Sequence, residues 1–401
     1  MEVISRKYYA NRVDAWLGKG QIIVLVGQRR VGKSFVLKDF ASRHKGEEGA
    51  NIIYIDKEKK AFNFIQNHEQ LNEYIDSHFS ANAHNYILID EVQDIEGWEH
   101  SVRSYRTEDN TDVIITGSNS KMLSGELSTV LGGRYEEILV QSLSYTEFLE
   151  FHALQDDDNA LWKYLTYGGL PGLRSIGLGS DEMVQEYLSG VFNTIMLKDV
   201  IERHTIRNIS FIRNLATFMA DTVGKLNSAN SIVKYMKSQN VDVSTNLVLN
   251  YMSYFNEAYL THAVDRYDIH GKKLLESNGK CYFGDVGLRN FIAGGERDKD
   301  IEKVMENVVY QHLLHLGYTV KVGQLRAGEI DFVATKTGKK AYIQVAYLID
   351  SEETRKREFG NLRLIPDDYP KYVISASPLL KISDDEGVTH LHIRQFLKEG
   401  L

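Results

Sequence analysis

At 401 residues the chain has room for two to four domains, taking about 100–200 residues per domain. Its 43% hydrophobic and 25% charged residues fit ordinary packed cores and exclude a disordered or low-complexity protein. The single cysteine, Cys281, excludes an intrachain disulfide framework and a CxxC zinc site and fits a reducing cytoplasm, and no apolar run reaches membrane-spanning length.

The first signal in chain order is Gln21 to Ser34. The apolar run Ile22–Val26 reads as a buried parallel strand. It leads through Gly27, Gln28, Arg29, Arg30, Val31 and Gly32 to Lys33-Ser34, where a helical pattern begins. This is G-x-x-x-x-G-K-S between a strand and a helix, the context a phosphate-binding loop requires. The glycines let backbone N–H groups converge on phosphate oxygens, and the helix N-terminus adds partial positive charge. Lys33 neutralises the β- and γ-phosphates, and the Ser34 hydroxyl reaches a Mg²⁺. ATP and Mg²⁺ are therefore the expected cofactors.

Four more short apolar runs, 51–55, 85–90, 112–116 and 135–140, alternate with helical patterns and predict a parallel sheet with helices on both faces. The third strand ends in Asp90-Glu91. After a P-loop, an Asp at a strand end holds Mg²⁺ and the next Glu positions the attacking water; the alternative is an ordinary acidic helix cap. The next strand runs into Ser118 and Asn119, which either sense the γ-phosphate or form a polar turn. Arg134, just before the fifth strand, is either a phosphate-sensing or trans-acting finger or a solvated charge. The expected catalytic set is Lys33, Asp90, Glu91, Ser118, Asn119 and Arg134.

These segments, with Ser142-Leu-Ser-Tyr-Thr-Glu-Phe and Tyr167-Gly-Gly-Leu-Pro-Gly172, resemble the AAA-type prokaryotic P-loop ATPases that carry a C-terminal domain of unknown function. The resemblance extends over essentially the whole chain. It implies an additional-strand core, in which the strand leading to Ser118 lies between the P-loop strand and the Asp90 strand.

Residues 151–204 read as a helical lid, broken at Gly168 to Gly172. Two helices follow, 228–238 with Ile232, Tyr235 and Met236 on one face, and one capped by Ser244 with Leu247, Val248, Tyr251, Met252 and Phe255 as its buried stripe. A hairpin with a basic tip near residues 268–273 completes the pattern of a winged helix-turn-helix over 205–299. Residues 205–275 carry eight Lys/Arg against five Asp/Glu within a chain of net charge −8. The polar face Thr245, Asn246, Asn250 and Ser253 suits DNA, although winged helices also bind proteins.

Residues 300–401 read as helix, three strands, helix, strand, the order of a restriction-endonuclease-like domain of PD-(D/E)xK type. Glu306, Asp331 and Gln344 fall where such an enzyme holds a metal, a possible second site. Ala346 stands where the catalytic lysine belongs, so the set is incomplete.

The sequence thus predicts an α/β protein: an AAA-type P-loop domain (1–150), the lid, the winged helix and the nuclease-like tail. The expected activity is Mg²⁺-dependent ATP hydrolysis driving a DNA-associated switch, or a protein-interaction switch with an inactive tail. Homo-oligomers are compatible with a trans-acting Arg134; a membrane is not expected.

Overall fold

The computed structural model describes residues 4–117, 131–238, 241–294, 300–326, 328–378, 384–385 and 387–401. The chain forms two compact units, one of residues 1–140 with 257–259 and one of 141–256 with 260–401.

In the first unit, α1 (Lys7–Trp16), β1 (Ile22–Val26), α2 (Lys33–His44), β2 (Ala50–Asp56), α3 (His68–His78), β3 (His84–Asp90), α4 (Trp98–Tyr105), β4 (Thr111–Thr116) and β5 (Tyr135–Leu139) alternate along the chain. The five strands are parallel in the order β2-β3-β4-β1-β5. All five residues of β1 are buried, as a central strand covered on both faces must be. β4 separates β1 from β3, the insertion that the resemblance implies. Ile22, Val24, Ile53, Ile55, Ile87, Ile89, Val113 and Ile115 form one core across the sheet.

The second unit begins with helices α5 (Tyr145–His152), α6 (Asp158–Tyr167), α7 (Leu173–Ile176) and α8 (Asp181–Thr194), which runs into a π-helix at Ile195–Glu202. Then come α9 (Ile209–Asp221), α10 (Ala229–Ser238), α11 (Thr245–Glu257), β6 (Thr261–Asp268), β7 (Lys273–Phe283) and α12 (Val286–Ala293). The remainder is α13 (Ile301–His315), β8 (Thr319–Leu325), β9 (Gly328–Lys336), β10 (Lys339–Ala346), α14 (Glu352–Arg363), β11 (Lys371–Ser375), β12 (Asp384–Asp385), β13 (Val388–His392) and α15 (Ile393–Glu399).

The glycine-rich break at 168–172 is a packing joint. Gly169 N–H donates to Asp285 Oδ2 at 2.9 Å, and Asn290 Nδ2 donates to the carbonyls of Leu165 and Thr166 at 2.9 and 3.0 Å. A Cβ on Gly287 would lie 1.9 Å from the Tyr167 carbonyl oxygen, so only glycine permits this approach of α12 to α6.

On α10, Ile232 and Met236 are buried, while Tyr235 is 45% exposed with its ring tilted against Phe218 at 4.6 Å. One expectation changes here. The β6–β7 hairpin is no free-standing wing, because β6 pairs in parallel with β8 through Arg266, Tyr267 and Asp268. The hairpin is the edge of one eight-stranded sheet, β12-β13-β11-β10-β9-β8-β6-β7, which runs across the boundary expected near residue 300.

Candidate nucleotide site

The phosphate loop sits at the carboxyl end of β1, where an open parallel sheet places its ligands. Gly27 has φ 137° and packs so closely that a Cβ would lie 2.1 Å from the Val140 carbonyl oxygen. Gly32, with φ 101°, turns the chain into α2. Arg30 also has positive φ, 71°, and is exposed. Lys33, 5% exposed, donates to the carbonyls of Gly27 and Gln28 at 2.8 and 3.1 Å. The buried Gln28 amide has no hydrogen-bond partner among the described residues. Arg29 is half-buried. Val31 is buried, and its carbonyl accepts from the guanidinium of buried Arg6 at 3.0 Å, which ties the segment before α1 to the loop.

Beside the loop, Asp90 Oδ1 accepts from Ser34 Oγ at 3.1 Å and from Thr116 Oγ1 at 2.6 Å. Its Oδ2 is buried with no close donor among the described residues. The Tyr54 hydroxyl lies near the carboxylate, and burial first, with the Asp90 charge next, holds that phenol protonated. Burial raises the Asp90 carboxyl above the ordinary range, Thr116 and Ser34 pull it back, and Glu91 and Asp56 raise it further. A buried carboxylate with one oxygen lacking a close donor, next to a serine hydroxyl, fits a hard divalent cation. Asp56 ends β2 directly opposite Asp90 and is 3% exposed, a second carboxylate that its strand-end position did not single out.

Glu91 adopts φ 55°, an uncommon conformation for a non-glycine residue. Its N–H donates to Thr116 Oγ1 at 2.9 Å, and its carboxylate accepts from Gln93 Nε2. Thr116 thus links Asp90 to Glu91. Neither Thr116 nor Gln93 was expected from the sequence, since a threonine closing a β-strand is ordinary. Ser118 and Asn119 lie outside the described residues.

Arg134 is not brought to this site. Its carbonyl accepts from Ile22 N–H at 3.1 Å, which puts it at the amino end of β1. The five residues of β1 separate it from the loop, roughly 16 Å at about 3.3 Å per residue. A sensing role toward the loop of its own chain is therefore corrected: a parallel strand holds its two ends apart. Arg134 instead lines a cavity of about 520 Å³ with His100, Arg103 and Arg106.

In the second unit Glu306 and Asp331 do converge, but on a lysine. Lys280 Nζ, from β7, lies 2.8 Å from Glu306, 2.8 Å from Glu329 and 3.1 Å from Asp331. Gln344 Oε1 accepts from the Asp331 N–H at 3.4 Å. Burial pulls the ammonium down, yet Asp331, Glu306 and Glu329 hold it above the lysine range. Burial and Asp331 push Glu306 up to about 7. The expected second metal set is present as neighbours, with an ammonium at its centre; Ala346 is buried in the sheet.

A family model described as an AAA domain matches residues 19–149, and one described as Domain of unknown function (DUF8612) matches residues 158–299. An uncharacterized protein of Haemophilus influenzae is 35% identical over 382 residues, 93% of each chain. One of Methanocaldococcus jannaschii is 29% identical over 377 residues, 89% of this chain and 82% of its own. Among solved structures, a Walker-type ATPase of Pyrococcus abyssi superposes with TM-score 0.51 at 15% identity, covering 72% of this chain and 95% of that one. No described helix is long and apolar enough to cross a membrane. The chain belongs to the family of the Haemophilus influenzae protein, and its residues 19–149, with the P-loop and the inserted strand, form a P-loop sheet that matches the AAA domain.

Proposed function

We propose that the protein hydrolyses ATP and works as an ATP-operated switch. The observation that carries this reading is the junction at the loop, where Ser34 and Thr116 both hold Asp90 and Thr116 also fixes the turn at Glu91. In this reading Gly27 to Ser34 wrap the phosphates, and Lys33 exchanges the Gly27 and Gln28 carbonyls for phosphate oxygens. Ser34 and Asp90 hold Mg²⁺, which when bound neutralises charge on the phosphates. Glu91, oriented by Gln93, positions the water that attacks the γ-phosphate as the bond to the ADP oxygen breaks. Ser118 and Asn119 sense the γ-phosphate, and Arg134 acts on the nucleotide of a second copy. Steady-state phosphate release tests the core of this: Lys33→Ala should abolish it, and wild-type rates in that variant would sink the mechanism.

The output is assigned to the second unit, through a DNA-associated helix-turn-helix and a nuclease-like tail. The excess of basic residues in 205–275 and the exposed Asn246, Asn250 and Ser253 support DNA contact. DNA binding should weaken steeply with added salt, as counterion release demands. A salt-insensitive or absent mobility shift would favour a protein partner. The saturated Lys280 and the buried Ala346 support a tail that does not cleave.

A further inference from the structure

Among the described residues of the second unit, Lys280 is the one buried lysine. Its side chain is 3% exposed, and three carboxylates from two elements surround its nitrogen: Glu306 on α13, and Glu329 and Asp331 on β9. An ammonium has three N–H donors and no acceptor. Three carboxylate partners therefore use all its donors and leave none to orient a water. The cluster is fixed from outside as well. Tyr282 Oη donates to Glu306 at 2.6 Å, and Val345 N–H donates to Asp331 Oδ2 at 2.9 Å. Gly224 packs so tightly on Glu306 that a Cβ there would lie 2.6 Å from its carboxylate oxygen.

Carboxylates converging on one point from a helix and a strand form the usual shell of a hard divalent cation, which needs oxygens at about 2.0–2.6 Å. Here the contacts are 2.8 to 3.1 Å, the lengths of charged N–H···O bonds. The central position is filled by a group of the chain itself. Three carboxylates drawn together, with Asp331 buried and Glu306 and Glu329 half-buried, would repel one another without a central cation, so this ammonium also helps the three elements to pack.

We infer that Lys280 is a resident cation that takes the place of a divalent metal among Glu306, Glu329 and Asp331, so that the second unit is stapled without metal and acquires a hard-cation site only when Lys280 is removed. This deepens the reading of a non-cleaving tail, and its test reads cation binding and not cleavage, so the two fail separately.

The test uses the full chain, stripped of nucleotide and metal, titrated with Tb³⁺, whose luminescence Tyr282 beside Glu306 would sensitise. The wild-type protein should show no saturable signal that Glu306→Gln removes. Lys280→Met should gain one, on the order of tenfold or more tighter than any wild-type background, and lose it again when Asp331→Asn is added. Saturable wild-type binding that Asp331→Asn abolishes would overturn the inference, as would a folded Lys280→Met protein that gains nothing. Should Lys280→Met not fold, melting with and without Mn²⁺ decides. Wild type and Glu306→Gln should shift equally; a shift confined to wild type places a metal in the cluster and overturns it.

Discussion

Thr116 Oγ1 gives its proton to Asp90 Oδ1 at 2.6 Å while accepting the Glu91 N–H at 2.9 Å, so one hydroxyl on β4 sets both acidic residues at the end of β3. Thr116→Val keeps the shape and removes both bonds. A lost hydrogen bond to a buried charged group costs about 1.5–3 kcal/mol, so kcat for ATP hydrolysis should fall on the order of ten- to a hundredfold. ATP affinity, set chiefly by the loop, should change little. A variant with wild-type kcat would show that Thr116 does not position Glu91.

Gln93 holds the Glu91 carboxylate from two residues downstream. With Gln93→Ala that carboxylate should lose its fixed orientation, lowering kcat by roughly tenfold at unchanged ATP affinity. Gln93→Glu should do worse, because two carboxylates would then repel. Steady-state rates together with nucleotide affinities separate orientation from binding; an equal loss in both would point to a collapsed site.

Arg134 and the phosphate loop lie at opposite ends of β1. If Arg134 serves the nucleotide of a second copy, turnover per chain should rise with protein concentration, and Arg134→Ala should remove that rise while leaving the dilute rate intact. Finger arginines contribute about 10³–10⁵ in rate where they act, so the contrast should be large. Turnover independent of concentration, with Arg134→Ala unimpaired, would return Arg134 to a solvated charge.

Acid should loosen the second unit before it touches the first. Burial lowers His152 and His262 to about 4 and His312 to about 3, below the ordinary 6.5. Above pH 6.5 all three are neutral folded or unfolded, and the full stability is present. As pH falls below 6.5 the unfolded chain takes up protons that the folded one refuses, so stability drops until about pH 4, and for His312 to about pH 3. His262 and His312 each contribute a slope of about 1.4 kcal/mol per pH unit, and the partly solvated His152 contributes less. Denaturant midpoints at pH 7.5, 6 and 5 should decline in that order; a flat profile would mean that these imidazoles are solvated.

Much of the first unit could be read from the sequence because its chemistry is local. Gly27, Gly32, Lys33 and Ser34 lie within eight residues, and buried parallel strands such as Ile22–Val26 appear as unbroken apolar runs. Thr116 and Asp56 were missed because a threonine or aspartate at a strand end looks the same whether or not it faces a neighbour's carboxylate. Lys280 was invisible for a stronger reason. Its partners lie 26, 49 and 51 residues further along the chain, and a lysine at a strand position ordinarily points to solvent. The hairpin was read as a wing for a similar reason: the turn at Asp268 to Lys272 is local, whereas the pairing of Arg266 with Val322 is not.

That pairing has a consequence for anyone dissecting the molecule. A fragment beginning at residue 300 would keep β8 to β13 but lose β6, baring the backbone groups of Val322, Gly323 and Gln324 along a strand edge. Bare edges of this kind recruit other chains. The same cut would remove Lys280 and leave Glu306, Glu329 and Asp331 facing one another with no counter-charge. The tail is thus not a detachable module, and a soluble truncation has to begin upstream of Thr261, so that it carries the hairpin with it.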